Sequence, residues 1–300
     1  MSINRTVVIE APSSLGLELD GAGVAQLSGA LLAAGLADSL LAPVAAHVPA
    51  PSPSSERHPE HGILNADALA RYSIALADAV GAALGRGEFP VVLGGDCSIL
   101  LGNLLALRRR GRYGLLFLDG HADFYQPEAN VNGEAASSEL AFATGRGPEA
   151  LTRFEMHRRL VEDADVVVLG FRDGDEQRHY GSQPLPSSIL AFDLAEVRRA
   201  GLRQVLTKSM AHLKRQEVAG IWIHLDADVL DDGVMPAVKY RLPGGLAGDE
   251  VTEVLRMALA SGLAAGLEVT IYDPTLDPAR KLAPCLVEMI ARGFSEQGRG

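Results

Sequence analysis

The sequence predicts an α/β protein whose parallel sheet is covered by helices on both faces. Three observations carry this. Short, unbroken apolar runs alternate along the chain with longer stretches of helical periodicity, the pattern of βαβ units. The runs are continuously apolar, as in strands buried on both faces. Three of them, Pro90–Leu93, Leu115–Leu118 and Ile221–Ile223, end directly in acidic motifs, and the carboxyl ends of parallel strands are where such sheets place their ligands.

In order, Thr6–Glu10 reads as the first strand and Val24–Leu41 as a helix interrupted by Gly29 and Gly35. Pro49 to His61, rich in Pro and Ser, reads as a surface loop. Ala66–Leu84 is a helix opened by Asn65 and closed near Gly85. A strand at 90–93, a helix at 99–110 and a strand at 114–118 follow. A polar loop runs from Tyr125 to Ser138. Asp165–Gly170 and Ile189–Phe192 are strands. Thr207–Glu217 is a helix leading to the strand at 221–226. Gly248–Leu259 is a helix, Ala265–Ile271 a strand, and Cys285–Arg292 the closing helix. Nothing marks a boundary, so 1–300 reads as a single domain.

The net charge of −11 argues against nucleic acid as a partner, since phosphate contacts need clustered Lys and Arg. The basic run Arg108–Arg112 closes an apolar segment and reads as a helix C-terminus. Cys97 and Cys285 stand far apart and outside any CxxC, so no disulfide framework is expected. The N-terminus shows no signal peptide pattern, and Leu27–Leu41 is too short to span a bilayer. The expected location is cytoplasmic, without a membrane partner.

The chemistry lies in Gly94-Gly95-Asp96-Cys97-Ser98, Asp119-Gly120-His121-Ala122-Asp123 and His224-Leu225-Asp226-Ala227-Asp228. Extended backbone sends residues i and i+2 to one side. Asp119, His121 and Asp123 therefore converge with Asp226 and Asp228, and Cys97 is available from a third strand end. An isolated Asp after a strand usually caps a turn. This many carboxylates raise one another's pKa, and a pair of divalent cations would resolve the conflict.

These motifs resemble those of the ureohydrolase family, which includes arginase, agmatinase, guanidinobutyrase and formimidoylglutamase. The family carries G-G-D-H-S, D-A-H-x-D and S-x-D-x-D-x-x-D-P motifs at similar spacing, and the likeness reaches Glu268–Pro274. It implies a three-layer α/β/α fold with a central, mostly parallel sheet of about eight strands, and a homo-oligomer. It also implies a binuclear Mn²⁺ site, two ions per subunit, whose bridging hydroxide attacks a guanidinium or amidine carbon. Asp119 and Asp226 would bridge the metals, Asp123 and Cys97 would complete one shell, and His121 and Asp228 the other. Two such cations generate hydroxide near neutral pH. Asp96 would order its turn or support a ligand.

The chain departs from the family in several places. Cys97 stands where relatives have His; a thiolate there would favour Zn²⁺ or another late transition metal, and the alternative is a buried small hydrophobe that binds nothing. The loop that carries a proton-shuttling His in arginases has none here, leaving Glu134 or Glu139 as the general acid/base. Ile271 replaces a Glu that grips guanidinium in relatives; Tyr272 and Asp273 are near enough to compensate, and strand parity puts Asp273 on the side of Ile271 and Tyr272 on the other, so Asp273 is a candidate substrate contact. Asp175, in Gly170-Phe-Arg-Asp-Gly-Asp175, is another. His224 replaces a small Ser and reads either as support for a metal-bound carboxylate or as a core histidine bonded to backbone. Asp232 replaces a Pro.

The expected function is metal-dependent hydrolysis of a linear C–N bond in a small guanidino, hydroxyguanidino or amidino compound. The alternatives are a ureohydrolase-like binding or regulatory protein that has lost activity, and a deacetylase-like amide hydrolase. The absence of a His-His pair counts against the last.

Overall fold

The computed structural model describes residues 5–295. Eight strands form one sheet: β1 (Thr6–Glu10), β2 (Val44–His47), β3 (Phe89–Leu93), β4 (Gly114–Leu118), β5 (Val166–Leu169), β6 (Leu190–Phe192), β7 (Ile221–Asp226) and β8 (Ala264–Thr270). Their order is β2-β1-β3-β8-β7-β4-β5-β6, and every pairing is parallel. This is the three-layer α/β/α arrangement that the family resemblance implies.

Strand alternation divides the core in two. On β4, Leu115 and Phe117 join Trp222 of β7 in packing against Leu69, Leu76 and Leu104 of helices 66–85 and 100–108. Leu116 and Leu118 face the other way, with Ile223 and Leu225, toward Leu31, Leu213, Leu255 and Leu286. β3, β4 and β7 are buried at every residue, which is why their sequences run apolar without alternation. Burying each large aliphatic side chain contributes about 1.5–3 kcal/mol.

The topology positions the site. After β3 the chain skips two places before laying down β4, and β8 and β7 later fill the gap. The carboxyl ends of β3, β7 and β4 therefore open onto one crevice.

Several elements differ from the sequence reading. The helix expected over 24–41 is a 3₁₀ turn (Leu19–Gln26), a helix (Leu27–Ala33) and a further turn (Leu36–Ser39), broken at Gly35, whose φ is +90°. β2 is a short, mostly exposed edge strand with no apolar run to announce it. Leu194–Ala200 forms an additional helix capped by Asp193, and the next helix starts at Leu202 rather than Thr207. Helix Ala66–Gly85 is long and apolar enough to cross a membrane by length and composition, yet Leu69, Tyr72, Leu76 and Val80 pack into the core. The basic run ends helix Leu100–Arg108 and is spent on ion pairs: Arg109 with Asp78 and Glu155, Arg112 with Asp165.

Candidate metal centre

Each acidic motif folds by one local rule. The aspartate ending the strand accepts a hydrogen bond from the backbone N–H two residues on: Asp96 Oδ1 from Ser98 (2.9 Å), Asp119 Oδ1 from His121 (2.7 Å) and Asp226 Oδ1 from Asp228 (2.8 Å). These are Asx turns. The turn-capping reading and the ligand reading of these residues therefore both hold, one for each oxygen. In Asp119 and Asp226, Oδ1 builds the turn and Oδ2 is left for another partner. Asp96 is the exception. Its Oδ2 accepts from Ser13 Oγ at 2.9 Å, so both oxygens are occupied in ordering the β3 turn. Gly95 is required in that turn, because a Cβ there would meet the Ser13 carbonyl oxygen at 1.8 Å.

The donors converge, but not by strand parity: Asp119 to Asp123 follow the end of β4 with Asp123 at φ +44°, and Asp228 lies in the 3₁₀ turn after β7. Cys97 Sγ lies 2.6 Å from Asp226 Oδ2, which also accepts from Thr270 Oγ1 at 3.1 Å. His121 Nδ1 is 2.9 Å from Asp228 Oδ2, and Asp228 Oδ1 accepts from the Gly120 N–H at 2.8 Å. The donors form three overlapping groups: Cys97, Asp119, His224 and Asp226; Cys97, Asp119, Asp123 and Glu139; and Asp119, His121 and Asp228. Within each group the atoms lie no more than 4.8 Å apart. Asp119 belongs to all three, Asp226 to the first alone.

The electrostatics describe a site short of positive charge. Burial pushes the Asp119 carboxyl well above the usual range, and Asp123 and Asp228 push it further. Burial does the same to Asp123, reinforced by Glu139, and to Asp226, reinforced by Asp228 and Asp119. Burial also raises the Cys97 thiol, with Asp226 and Glu139 adding to it. Burial would raise Asp228 as well, but its ion pair with His121 holds it down at about 2. Burial would lower His121, yet Asp228 and Asp119 lift it to about 10.

Buried atoms without a partner include Asp119 Oδ2, both oxygens of Glu139 and His224 Nε2. Orphaned acceptors of this kind are costly unless something positive meets them. The donor set, carboxylates with imidazole and one sulfur, fits divalent transition-metal cations.

The remaining sequence candidates separate. Glu139 is fully buried beside Asp123, and burial drives its carboxyl well above the usual range. Glu134 is also fully buried, but its oxygens are taken. Oε1 accepts from the Glu18 N–H and Lys239 Nζ, and Oε2 from Tyr240 and Asn132. Asp175 projects into solvent with its side chain 97 % exposed and pairs with Arg178. Asp273 caps the turn at Pro274–Leu276 through Thr275. The parity expected for 271–273 does not hold, because Ile271 adopts φ +68° and ends the strand. Ile271 lines the crevice, while Tyr272 turns away to donate to Asp277. Positive φ is an outlier for a β-branched residue, and the Ile271 N–H donates to the Gly95 carbonyl there.

The crevice is a cavity of about 270 Å³. Cys97, His121, Asp123, Asp226 and Asp228 line its floor, and Tyr125, Glu176, Tyr180, Lys239 and Tyr240 stand among its walls. The wall residues carry no motif spacing, and the sequence reading missed them. Asp173, also missed, is buried beneath, accepting from the Ala122 N–H and Gln177 Nε2.

A family model described as the arginase family matches residues 59–293. The chain belongs to that family. An arginase of Staphylococcus aureus is 27 % identical over 251 residues, 83 % of this chain and 82 % of the relative. An arginase of Bacillus caldovelox is 30 % identical over 82 % of this chain and 83 % of its own. The solved structure of a Bacillus caldovelox arginase superposes with a TM-score of 0.85 at 26 % identity, covering 98 % of each chain. The arginase-family chain described here shares their fold while placing Cys97 and His224 in its buried donor cluster.

Proposed function

We propose that this arginase-family hydrolase cleaves a linear C–N bond in a small guanidino, hydroxyguanidino or amidino compound, and that it does so with two divalent cations. The observation that carries the reading is the convergence of six ionisable donors from three strand ends, five of them lining the floor of one cavity with Asp119 buried among them. When bound, such a pair of cations activates water for attack and stabilises charge at the reacting carbon.

The chain's own residues supply the rest. Asp119 joins all three donor groups and, with Asp226, would hold the cations together. His121 and Asp228 would serve one cation, Cys97 and Asp123 the other. The sulfur favours Zn²⁺ or another late transition metal at its position over the Mn²⁺ usual in the family. Glu139 keeps its place as the acid/base candidate: burial pushes its carboxyl well above the usual carboxylate range, the direction a general acid requires. Glu134 supports Lys239 and Tyr240 in the cavity wall. Aspartates on the floor and Glu176 on the wall suit a cationic head group, with Glu176 better placed than Asp175 to meet it.

The test is metal analysis of purified protein, joined to a screen for urea or ammonia release over guanidino acids, agmatine, hydroxyarginine and formimino compounds. Binding of two cations with turnover of one such compound supports the reading. Well under one cation per chain after Mn²⁺ and Zn²⁺ supplementation would sink it.

A further inference from the structure

His224 stands on β7, two residues before Asp226, so these two side chains belong to one face of the strand, and Asp228 follows in the 3₁₀ turn after it. Its ring is completely buried and stacks on Phe117, with centroids 4.4 Å apart and planes within 9°. Nδ1 lies 2.7 Å from Glu268 Oε1, and Asn103 donates to the other Glu268 oxygen. With Nδ1 as the donor to Glu268, Nε2 presents its lone pair.

That lone pair has no partner. Nε2 sits 3.5 Å from Asp119 Oδ2, and neither atom has a hydrogen-bond partner. The separation is too long for a hydrogen bond between them. It suits two donors sharing one cation, which lie about 3–3.5 Å apart when each bond is about 2.0–2.2 Å. A carboxylate that fixes the far nitrogen of an imidazole is the usual support of a metal-binding histidine.

We propose that His224 Nε2 is a direct ligand, with Cys97, Asp119 and Asp226, of one cation in this centre. The inference rests on the metal-dependent reading above and deepens it. The imidazole expected at position 97 has not been lost from the site; it enters from β7 instead, and Cys97 adds a sulfur beside it. Glu268 and Asn103 are its positioning residues. A cation held by one sulfur, one nitrogen and two carboxylates is a site for Zn²⁺ or Co²⁺ rather than Mn²⁺. The second cation, at Asp119, His121 and Asp228, keeps an oxygen-rich shell.

Crystals of the full chain grown with Zn²⁺ and examined by anomalous scattering decide this directly. The expected result is a cation about 2.0–2.1 Å from His224 Nε2. Two cations with Nε2 more than about 3 Å from both would overturn the inference while leaving the metal-dependent reading intact. Crystals that take up no Zn²⁺ or Mn²⁺ would sink the metal-dependent reading itself, and the inference with it. In solution, Co²⁺ titration of His224→Gln should weaken one of two sites at least tenfold and alter its visible spectrum. Cys97→Ser should weaken the same site. Unchanged affinity and spectrum in a folded His224→Gln would also overturn the inference; if that variant does not fold, the wild-type crystals decide alone.

Discussion

Cys97 Sγ and Asp226 Oδ2 lie 2.6 Å apart at the floor of the cavity, at the ends of strands that are not neighbours in the sheet. A thiol and a carboxyl, both pushed toward their protonated forms by burial, meet where a cation would deprotonate both. Cys97→Ser should lower Zn²⁺ and Co²⁺ affinity by roughly tenfold to hundredfold and abolish sulfur-to-cobalt absorption in the near ultraviolet. Cys97→His should raise Mn²⁺ occupancy. Metal content that stays the same in both variants would remove the sulfur from the coordination shell.

Chelator-stripped protein should lose stability as pH rises. Asp119, Asp123, Asp226 and Glu139 have folded pKa values raised by burial, whereas in the unfolded chain such groups ionise near about pH 4. Above that pH the unfolded state sheds protons that the folded state keeps, so unfolding becomes steadily easier. His121 works in the same direction: its contribution is complete below about pH 6.5 and fades toward its folded value of about 10. The lowered Asp228 acts oppositely, but its contribution is already complete above about pH 4. The melting temperature of the stripped protein should therefore fall from pH 5 to pH 8, and added Zn²⁺ or Mn²⁺ should flatten the slope. A flat profile without metal would contradict the charge-deficient picture.

Glu134→Gln should destabilise the fold by about 3 kcal/mol, as expected when one member of a buried ion pair is removed. Lys239 would keep Asp20 as its partner at 2.7 Å but lose the carboxylate behind the cavity wall. Lys239 and Tyr240 line the cavity, so KM for any substrate found should rise more than kcat falls. Denaturant melts and steady-state kinetics read the two effects separately. A fall in kcat alone would instead point to Glu134 as the acid/base.

Gly95→Ala should cost about 3 kcal/mol, since the added carbon meets the Ser13 backbone and overpacking of this kind is not relieved by a side-chain rotation. The turn also carries Cys97, so metal affinity should fall with stability. An Ala variant with wild-type melting and metal content would show that the turn shifts without consequence.

The metal donors were legible because their arrangement is local. Asp119 and Asp123, or Asp226 and Asp228, are carried by a strand end and the short turn directly after it. The sheet brings the groups together, and the apolar runs had already announced the sheet. Lys239 and Tyr240 were invisible for the opposite reason. They lie in the long connection between β7 and helix 248–260, where no periodicity orients a side chain, and tertiary contacts with Glu134, Asp20 and Asn132 fix them. Asp273 was misdirected because parity was extended through Ile271, whose left-handed backbone resets it. His224 was singled out from its sequence, but its partner, Glu268, comes from the neighbouring strand, and only the β7–β8 register sets the two opposite one another.

The sheet also carries its own spectroscopic probe. Trp222 is the chain's single tryptophan, fully buried on β7 and two residues from His224 on the same face. Its ring lies so close to Gly266 of β8 that any side chain there would collide with it. Emission from this protein therefore reports on the pairing of β7 with β8, the strands that hold His224 against Glu268. Cation uptake and strand assembly can thus be followed optically in unlabelled wild-type protein.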